Sequence, residues 1–272
     1  MSVLTQSDRD FFDAQGYVVV REAVPKANCD AVVDAIWDFL GMDRDDPNDW
    51  YRAPHKPGGG MVEMYQHPAM WNNRQHPRLY QAYVDLWGTE KLWCSTDRVN
   101  FKPPPHPDHP EWEHKGFCHW DADTSKLPLR FGVQGVVFLT DTAADQGSFQ
   151  CMPGEHKHLL DKENPYVPEL DDEKFVQIEG KAGDLLIWHR ALAHGNGHNT
   201  SDKPRLAQYI SMRPARYDNE EGRQHRIKCW RERLCPGGRA FPGDPRGWEA
   251  NQNETAELTP LGRKLLGLDP WE

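Results

Sequence analysis

A series of short, strand-like segments between Leu92 and Met212 constrains the fold of this chain more than any other feature. Each segment is rich in β-branched, aromatic or aliphatic residues, and glycine or proline separates most of them from the next. The segments are Leu92–Phe101, Phe117–Asp121, Phe131–Leu139, Ser148–Met152, Phe175–Glu179, Asp184–His189 and Arg205–Met212. Because many short strands joined by turns favour antiparallel architectures, they predict an antiparallel barrel or a jelly roll of two sheets.

Helices are predicted on both sides of the strand region, from capping residues and from apolar side chains at helical spacing. They are a short helix that Thr5 or Ser7 caps and Gly16 ends, then Lys26–Leu40, Gln224–Leu234 and Leu258–Leu266. The segment Asp43–Gly60 is rich in Asp, Pro and Gly, which predicts either a plain surface loop or a lid over an active site.

The length of 272 residues fits one domain, since β-barrel domains commonly reach about 200–250 residues. The predicted fold is mainly β with flanking α. A jelly-roll or cupin-like barrel is expected in residues 92–215, a helical N-terminal scaffold in residues 1–91, and a helical and coil extension in residues 216–272.

The composition is that of a globular protein and narrows the range of partners. No apolar run reaches the ~18–20 residues that a membrane helix needs, and no secretory signal is apparent, so we expect a cytoplasmic protein without a membrane partner. A net charge of -10 argues against a nucleic-acid partner. The six cysteines form no C-x-x-C pair and are expected to be reduced thiols. The oligomeric state is left open.

The triplet His119-Trp120-Asp121 places an imidazole and a carboxylate two residues apart, hence on the same face of a strand. With a second histidine, this pair would complete the facial triad of non-haem iron(II) oxygenases, which leaves three metal positions open. The triplet alone is weak evidence, because the chain has 13 histidines.

The third ligand is expected among His189, His194 and His198. His194 precedes Gly195 and lies eleven residues before Arg205, a spacing that allows an antiparallel hairpin. Such a hairpin would bring the guanidinium beside the metal, where its fork can bind a carboxylate of a dicarboxylic co-substrate. We therefore expect His194, rather than the other two, to bind the metal.

Five motifs in this order resemble the phytanoyl-CoA dioxygenase family of iron(II)- and 2-oxoglutarate-dependent oxygenases. They are H-x-D at 119–121, P-G-x-H-K at 153–157, G-D-x-x-x-x-H at 183–189, H-G at 194–195 and Arg205. The N-F-K-P-P run at 100–104 and the segment from Asp10 onward are also similar, so the resemblance extends to about Met212. Glu155 stands where the family usually has serine.

The resemblance implies a double-stranded β-helix with iron(II) bound by His119, Asp121 and His194, and with Arg205 on the C5 carboxylate of 2-oxoglutarate. Four further side chains are expected beside the co-substrate: Asn196, Gln134, Asn100 and Arg98. Members of the family convert 2-oxoglutarate and O2 to succinate and CO2 while they hydroxylate a substrate. The presence of Asp121 argues against halogenation, because related halogenases lack this carboxylate.

Two alternatives remain open at this level. A zinc-dependent cupin-type enzyme could use the same ligands, and a non-catalytic metal-binding sensor could use the same barrel. Arg205 favours the oxygenase, since a hydrolase has no need of it. His156, in the P-G-x-H-K turn, is expected to contact backbone rather than metal.

The expected substrate is a small molecule whose identity no motif specifies. Ten Lys and Arg residues lie between Lys203 and Arg239, and together with Arg98 they favour a carboxylate or phosphate on the substrate. A solvated helical face explains the same charges.

Overall fold

Two antiparallel β-sheets form the centre of this protein, as seen in a computed structural model that describes residues 2–52, 60–158, 174–237 and 243–272. The strands in these ranges are β1 (Tyr17–Val20), β2 (Met61–Val62), β3 (Leu92–Cys94), β4 (Val99–Lys102), β5 (Phe117–His119), β6 (Val133–Phe138), β7 (Phe149–Cys151), β8 (Val176–Ile178), β9 (Leu185–His189), β10 (His194–Asn196), β11 (Arg205–Tyr209) and β12 (Met212–Pro214). The α-helices are α1 (Gln6–Gln15), α2 (Lys26–Leu40), α3 (Pro68–Arg74), α4 (Pro77–Trp87), α5 (Glu220–Glu232), α6 (Trp248–Gln252) and α7 (Pro260–Leu266).

The larger sheet has the strand order β1-β9-β6-β11-β4-β2, and the smaller has the order β5-β10-β7-β8. Strands β3 and β12 form a separate pair. The two main sheets contact each other through alternate side chains, because successive residues of a strand leave opposite faces. These side chains form an apolar cluster between the sheets, the inner cluster, of Val136, Phe138, Phe149, Cys151, Ile178, Leu186, Trp188, Leu192 and Ala207. The predicted mainly β, jelly-roll type of fold with flanking helices is confirmed.

The outer face of the larger sheet packs against the N-terminal helices. Val137 and Ile187, which alternate with residues of the inner cluster, join a second apolar cluster with Ile36 and Leu40 of α2. Burial of this face, at about 25 cal/mol per Å² of apolar surface, stabilises the sheet that carries five of the nine residues of the inner cluster.

Helices α1 and α2 confirm the sequence prediction. The Thr5 side chain accepts the N–H of Asp8, whose carboxylate accepts the N–H of Thr5 in return, and this capping box begins α1. Gly16 ends the helix with a φ of 83°, which a glycine adopts without steric cost. Helices α3 and α4 are not predicted by the patterns above, because Pro77 separates them into short pieces.

The prediction of a single strand over Leu92–Phe101 is wrong. The structure divides this run into β3, which pairs with β12, and β4, which pairs with β11 and β2. Residues 95–98 connect β3, in the separate β3–β12 pair, to β4 in the larger sheet. An apolar run in the sequence does not reveal such a change of pairing strand. Similarly, the strand predicted over Phe117–Asp121 ends at His119.

The segments outside the barrel contribute to it from both ends of the chain. Strands β1 and β2 form the two edges of the larger sheet, so residues 1–91 are more than a helical scaffold. The buried Glu249 carboxylate accepts the N–H groups of Tyr65 and Gln66, each at 2.7 Å. These contacts support a single domain, which stays a prediction.

Within Asp43–Gly60, where the sequence predicts a surface loop or a lid, residues 53–59 lie outside the described residues.

The cysteines are free thiols, and five of the six are buried. Cys118 packs with Trp120, Met152 and Ala193, on the face of its strand opposite to His119, as alternation predicts. No helix among the described residues has the length and hydrophobicity that crossing a bilayer requires.

Replacement of Gly135, in the middle of β6, is expected to destabilise the fold. A Cβ there would overlap the Tyr83 hydroxyl and lie 2.7 Å from the Ile210 carbonyl oxygen. Gly135→Ala should therefore lower the free energy of unfolding in urea by roughly 1–3 kcal/mol, the usual cost of overpacking. Gly132→Ala is the control, because its Cβ meets only the flexible Arg190 side chain. Equal stability of the two variants would contradict this account.

Candidate active site

Antiparallel pairing of β5 and β10 sets His119 directly opposite His194. Their ring centroids are 4.6 Å apart. Asp121, just beyond the end of β5, places its carboxylate between them, with Oδ1 at 3.2 Å from His119 Nε2 and Oδ2 at 3.3 Å from His194 Nε2. One ligand atom from each residue lies within 4.8 Å of the others. Two imidazoles and one carboxylate are the donor set of the facial triad.

Neighbouring groups hold these side chains in place. His194 Nδ1 lies 2.9 Å from the Leu192 carbonyl oxygen, a contact that orients the ring with Nε2 toward Asp121. The Phe149 ring stacks on His194 at an interplanar angle of 15°. Trp120 donates its indole N–H to the Ala191 carbonyl oxygen at 3.0 Å, which fixes the strand between His119 and Asp121.

The Asp121 carboxylate is charged. Burial alone would raise its pKa, but hydrogen bonds from His119, His194 and Gln134 outweigh this effect and hold the pKa of Asp121 well below its usual range. Gln134 donates to Oδ2 at 2.6 Å. The structure therefore places Gln134, which the sequence predicts to be a co-substrate residue, on a candidate metal ligand.

Arg205 is a buried cation whose hydrogen bonds are incomplete. Its side chain is 1% exposed, and Nη1 donates to Asn100 Oδ1 at 2.9 Å. Nε and Nη2 have no hydrogen-bond partner among the described residues. Lys102, directly across from Arg205 in β4, donates to the Gly197 carbonyl oxygen at 2.5 Å. Burial and the adjacent Arg205 charge lower the pKa of Lys102 to about 8.

The expected hairpin between His194 and Arg205 is wrong. Strand β10 pairs with β5 and β7, whereas β11 pairs with β4 and β6, so the two residues stand on different sheets. Residues 197–204 cross from one sheet to the other. Arg205 shares its strand face with Ala207 of the inner cluster, so it points between the sheets from the wall opposite His194.

A cavity of about 380 Å³ opens at the triad. Its lining residues are Met61, Asp97, Arg98, His119, Asp121, Gln134, Phe149, Trp188, His194, Gly195, Asn196 and Tyr209. Of the predicted co-substrate residues, Asn196, Gln134 and Arg98 line it, while Asn100 contacts Arg205. Sequence reasoning missed Tyr209 and Lys102 as site residues, although alternation along β11 and β4 puts them on the faces of Arg205 and Asn100.

Arg98, in the cavity wall, forms an ion pair with a carboxylate. Its Nη1 lies 3.1 Å from Glu63 Oε1, and Glu63 also accepts the Tyr65 hydroxyl and, at 3.1 Å, the N–H of Gly243. The neighbouring Asp97 accepts the N–H of Arg98 at 2.8 Å. Sequence reasoning missed Glu63 and Asp97, since no local motif marks them.

His189 and His198, the other two candidates for the third ligand, lie apart from the triad. His189 packs against Phe12, Phe131 and His156, and burial lowers its pKa to about 4. His198 contacts a Glu113 carboxylate oxygen at 2.6 Å. As predicted, His156 contacts backbone, with Nε2 at 3.1 Å from the Asp13 carbonyl oxygen.

Two arginines of the basic segment, Arg223 and Arg226, hold the last C-terminal helix. Arg223 donates to the Gly267 carbonyl oxygen, and Arg226 donates to those of Leu265 and Leu266. None of the described α5 arginines lines the cavity.

Comparisons with known proteins agree with this geometry. The family model described as phytanoyl-CoA dioxygenase matches residues 12–207 of the chain. A putative phytanoyl-CoA dioxygenase of Dictyostelium discoideum is 24% identical over 273 residues, which cover 80% of this chain and 78% of the relative.

Two solved structures show the same fold at low identity. The hypothetical protein JW0805 from Escherichia coli has a TM-score of 0.72 and 18% identity, with 97% of this chain and 82% of that one covered. The epimerase SnoN, in complex with Fe3+, alpha ketoglutarate and nogalamycin RO, has a TM-score of 0.56 and 20% identity, with 77% and 83% covered. Since the family model spans most of the chain, this protein belongs to the phytanoyl-CoA dioxygenase family of iron- and 2-oxoglutarate-dependent oxygenases.

Proposed function

We propose that this protein hydroxylates an unactivated C–H bond of a small molecule, with iron(II) bound by His119, Asp121 and His194 and 2-oxoglutarate bound by Arg205. One observation carries the proposal: a two-histidine, one-carboxylate cluster faces an interior whose opposite wall holds a buried guanidinium with two unpaired N–H groups among the described residues.

The three ligand residues fit a divalent iron. The Nε2 atoms of both histidines and the Asp121 carboxylate converge, and a single carboxylate with two neutral imidazoles leaves positions for a co-substrate and O2. When bound, iron(II) with 2-oxoglutarate and O2 supplies the oxidising power for hydroxylation and releases succinate and CO2. Asp121 supports hydroxylation over halogenation for the reason given above.

The chain itself positions the reactants. Arg205 offers a planar fork for the distal carboxylate of 2-oxoglutarate, and Asn100 fixes the orientation of that fork. Lys102 places a second positive charge next to it. The inner cluster, with Phe149 and Trp188 against His194, keeps the inner side of the triad apolar. The cavity of about 380 Å³ suits a small molecule.

Loss of the Arg205 guanidinium should weaken 2-oxoglutarate binding. Arg205→Met is expected to reduce the affinity by ~1.5–3 kcal/mol, the contribution of a charge-assisted pair, while iron content stays near that of the wild type. Calorimetric titration of 2-oxoglutarate into the iron-loaded protein without oxygen measures this. Arg213→Met, which removes an exposed cation, is the control. Unchanged affinity in Arg205→Met would remove Arg205 from the co-substrate site.

Of the three candidates for the third ligand, His189, His194 and His198, only one should be needed for the metal. His194→Ala is expected to lose stoichiometric iron and all 2-oxoglutarate turnover, because Nε2 of His194 faces Asp121. His189→Ala and His198→Ala should keep the iron, since these side chains lie outside the triad. Iron content after anaerobic reconstitution is the measurement. Loss of iron from His189→Ala and its retention in His194→Ala would overturn the assignment.

The buried Lys102 predicts a specific pH dependence of stability without 2-oxoglutarate. Because its folded pKa of about 8 lies below its ordinary value of 10.5, the unfolded chain holds a proton between these pH values that the folded chain has released. Stability therefore rises with pH over this interval, by roughly 1–3 kcal/mol in total.

Urea unfolding of the wild type and of Lys102→Met at pH 8 to 10.5 isolates this contribution, which the variant should lack. Lys115→Met, at an exposed lysine, should behave as the wild type. Parallel curves for the wild type and Lys102→Met would show that Lys102 is not the group concerned.

A further inference from the structure

The charged groups on one wall of the cavity do not balance. Asp97 and Arg98, which directly precede β4, line this wall. Arg98 is paired with Glu63 at 3.1 Å, and the Arg98 and Glu63 side chains are only 14% and 21% exposed. A carboxylate or phosphate on a substrate would therefore have to displace Glu63 from Arg98 to find a cation here.

The Asp97 carboxylate, by contrast, has room for a donor. Oδ1 accepts the backbone N–H of Arg98, and Arg98 Nε lies 3.9 Å from it. No hydrogen bond reaches Oδ2 from any of the described residues. The side chain is 31% exposed, and it lines the cavity. The buried Arg74 donates to the Asp97 carbonyl oxygen at 2.5 Å, so the backbone that carries this carboxylate is fixed.

The remaining charges near the cavity already have roles. Asp121 belongs to the candidate metal ligands, and Arg205 and Lys102 face the proposed co-substrate. Within the described part of the chain, Asp97 is the remaining carboxylate that lines the cavity, beside the apolar surfaces of Met61 and Trp188. Burial raises the pKa of Asp97, and the Arg98 and Arg74 charges oppose this effect.

We propose that the substrate presents a protonated amine to Asp97, and that Asp97 selects it over a carboxylate or phosphate. The proposal rests on the function proposed above, which assigns the other charged groups. A charge-assisted hydrogen bond in a partly desolvated cavity is stronger than a neutral one, so the amine is preferred over an alcohol of the same shape. This replaces the anionic substrate that the basic segment and Arg98 favoured from sequence.

Three probes of matched size test the proposal: 2-phenylethylammonium, 2-phenylethanol and 3-phenylpropanoate. Their dissociation constants are measured by calorimetry on the full chain, loaded with iron(II) and saturating 2-oxoglutarate, without oxygen. The ammonium probe should bind about tenfold more tightly than the alcohol, the usual excess of a charge-assisted hydrogen bond, and the carboxylate most weakly. Binding of the carboxylate or the alcohol as tightly as the ammonium probe would overturn the proposal.

Two variants test whether Asp97 and Glu63 determine the preference for the ammonium probe. Asp97→Asn keeps the shape of the side chain but removes its charge. It should weaken binding of the ammonium probe about tenfold and leave the affinity for the alcohol unchanged. Glu63→Gln removes the negative charge beside Arg98 and should strengthen binding of the carboxylate probe. Asp218→Asn, an exposed position with the same change of net charge, should alter neither. An ammonium affinity that is the same in Asp97→Asn as in the wild type would overturn the role of Asp97.

Iron content and 2-oxoglutarate affinity are measured on the same preparations. If the wild type bound no iron, the proposed function would fail, yet the difference between the wild type and Asp97→Asn toward the ammonium probe would still report on Asp97. If iron and 2-oxoglutarate bound normally and this difference were absent, only the substrate proposal would fail.

Discussion

The register between β5 and β10 is the constraint on which the site depends. It places His119 and His194 directly opposite each other, and both then leave the same face of the smaller sheet. A slip of one residue in either strand would turn one imidazole to the other face, where Cys118 and Ala193 pack. Strand β7 pairs with the other edge of β10 and places Cys151 opposite His194. This second pairing helps to fix the register of β10.

The larger sheet makes a different contribution, a pair of neighbouring buried cations. Arg205 and Lys102 face each other across β11 and β4, and like charges in a buried site oppose folding. The contact of Arg205 with Asn100 and that of Lys102 with the Gly197 carbonyl oxygen offset only part of this cost. Binding of a dianion between the sheets would relieve the rest, so the same groups that reduce stability without a ligand favour its binding. The smaller sheet thus carries the proposed metal ligands, and the larger sheet carries the two cations.

The sequence was sufficient to indicate His119, Asp121 and His194, which the structure brings together, because they belong to short motifs that can be read without knowing which strands pair. The partners of the strands could not be predicted in this way. A separation of eleven residues between His194 and Arg205 fits a hairpin and fits a crossing between sheets equally well, and only the packing of the whole barrel decides. The break in the Leu92–Phe101 run was hidden for the same reason. Glu63 lies 35 residues before Arg98, and nothing local connects them.

The contact between Glu63 and Arg98 connects the cavity wall to the C-terminal segment. The groups proposed to bind iron and 2-oxoglutarate all lie within residues 12–207, which the family model matches. The Glu63 carboxylate, which neutralises Arg98 in the cavity wall, also accepts the N–H of Gly243, beyond the matched residues. Glu249 holds the backbone of Tyr65 and Gln66 close by. The C-terminal segment therefore helps to fix the carboxylate that pairs with Arg98 in the cavity wall.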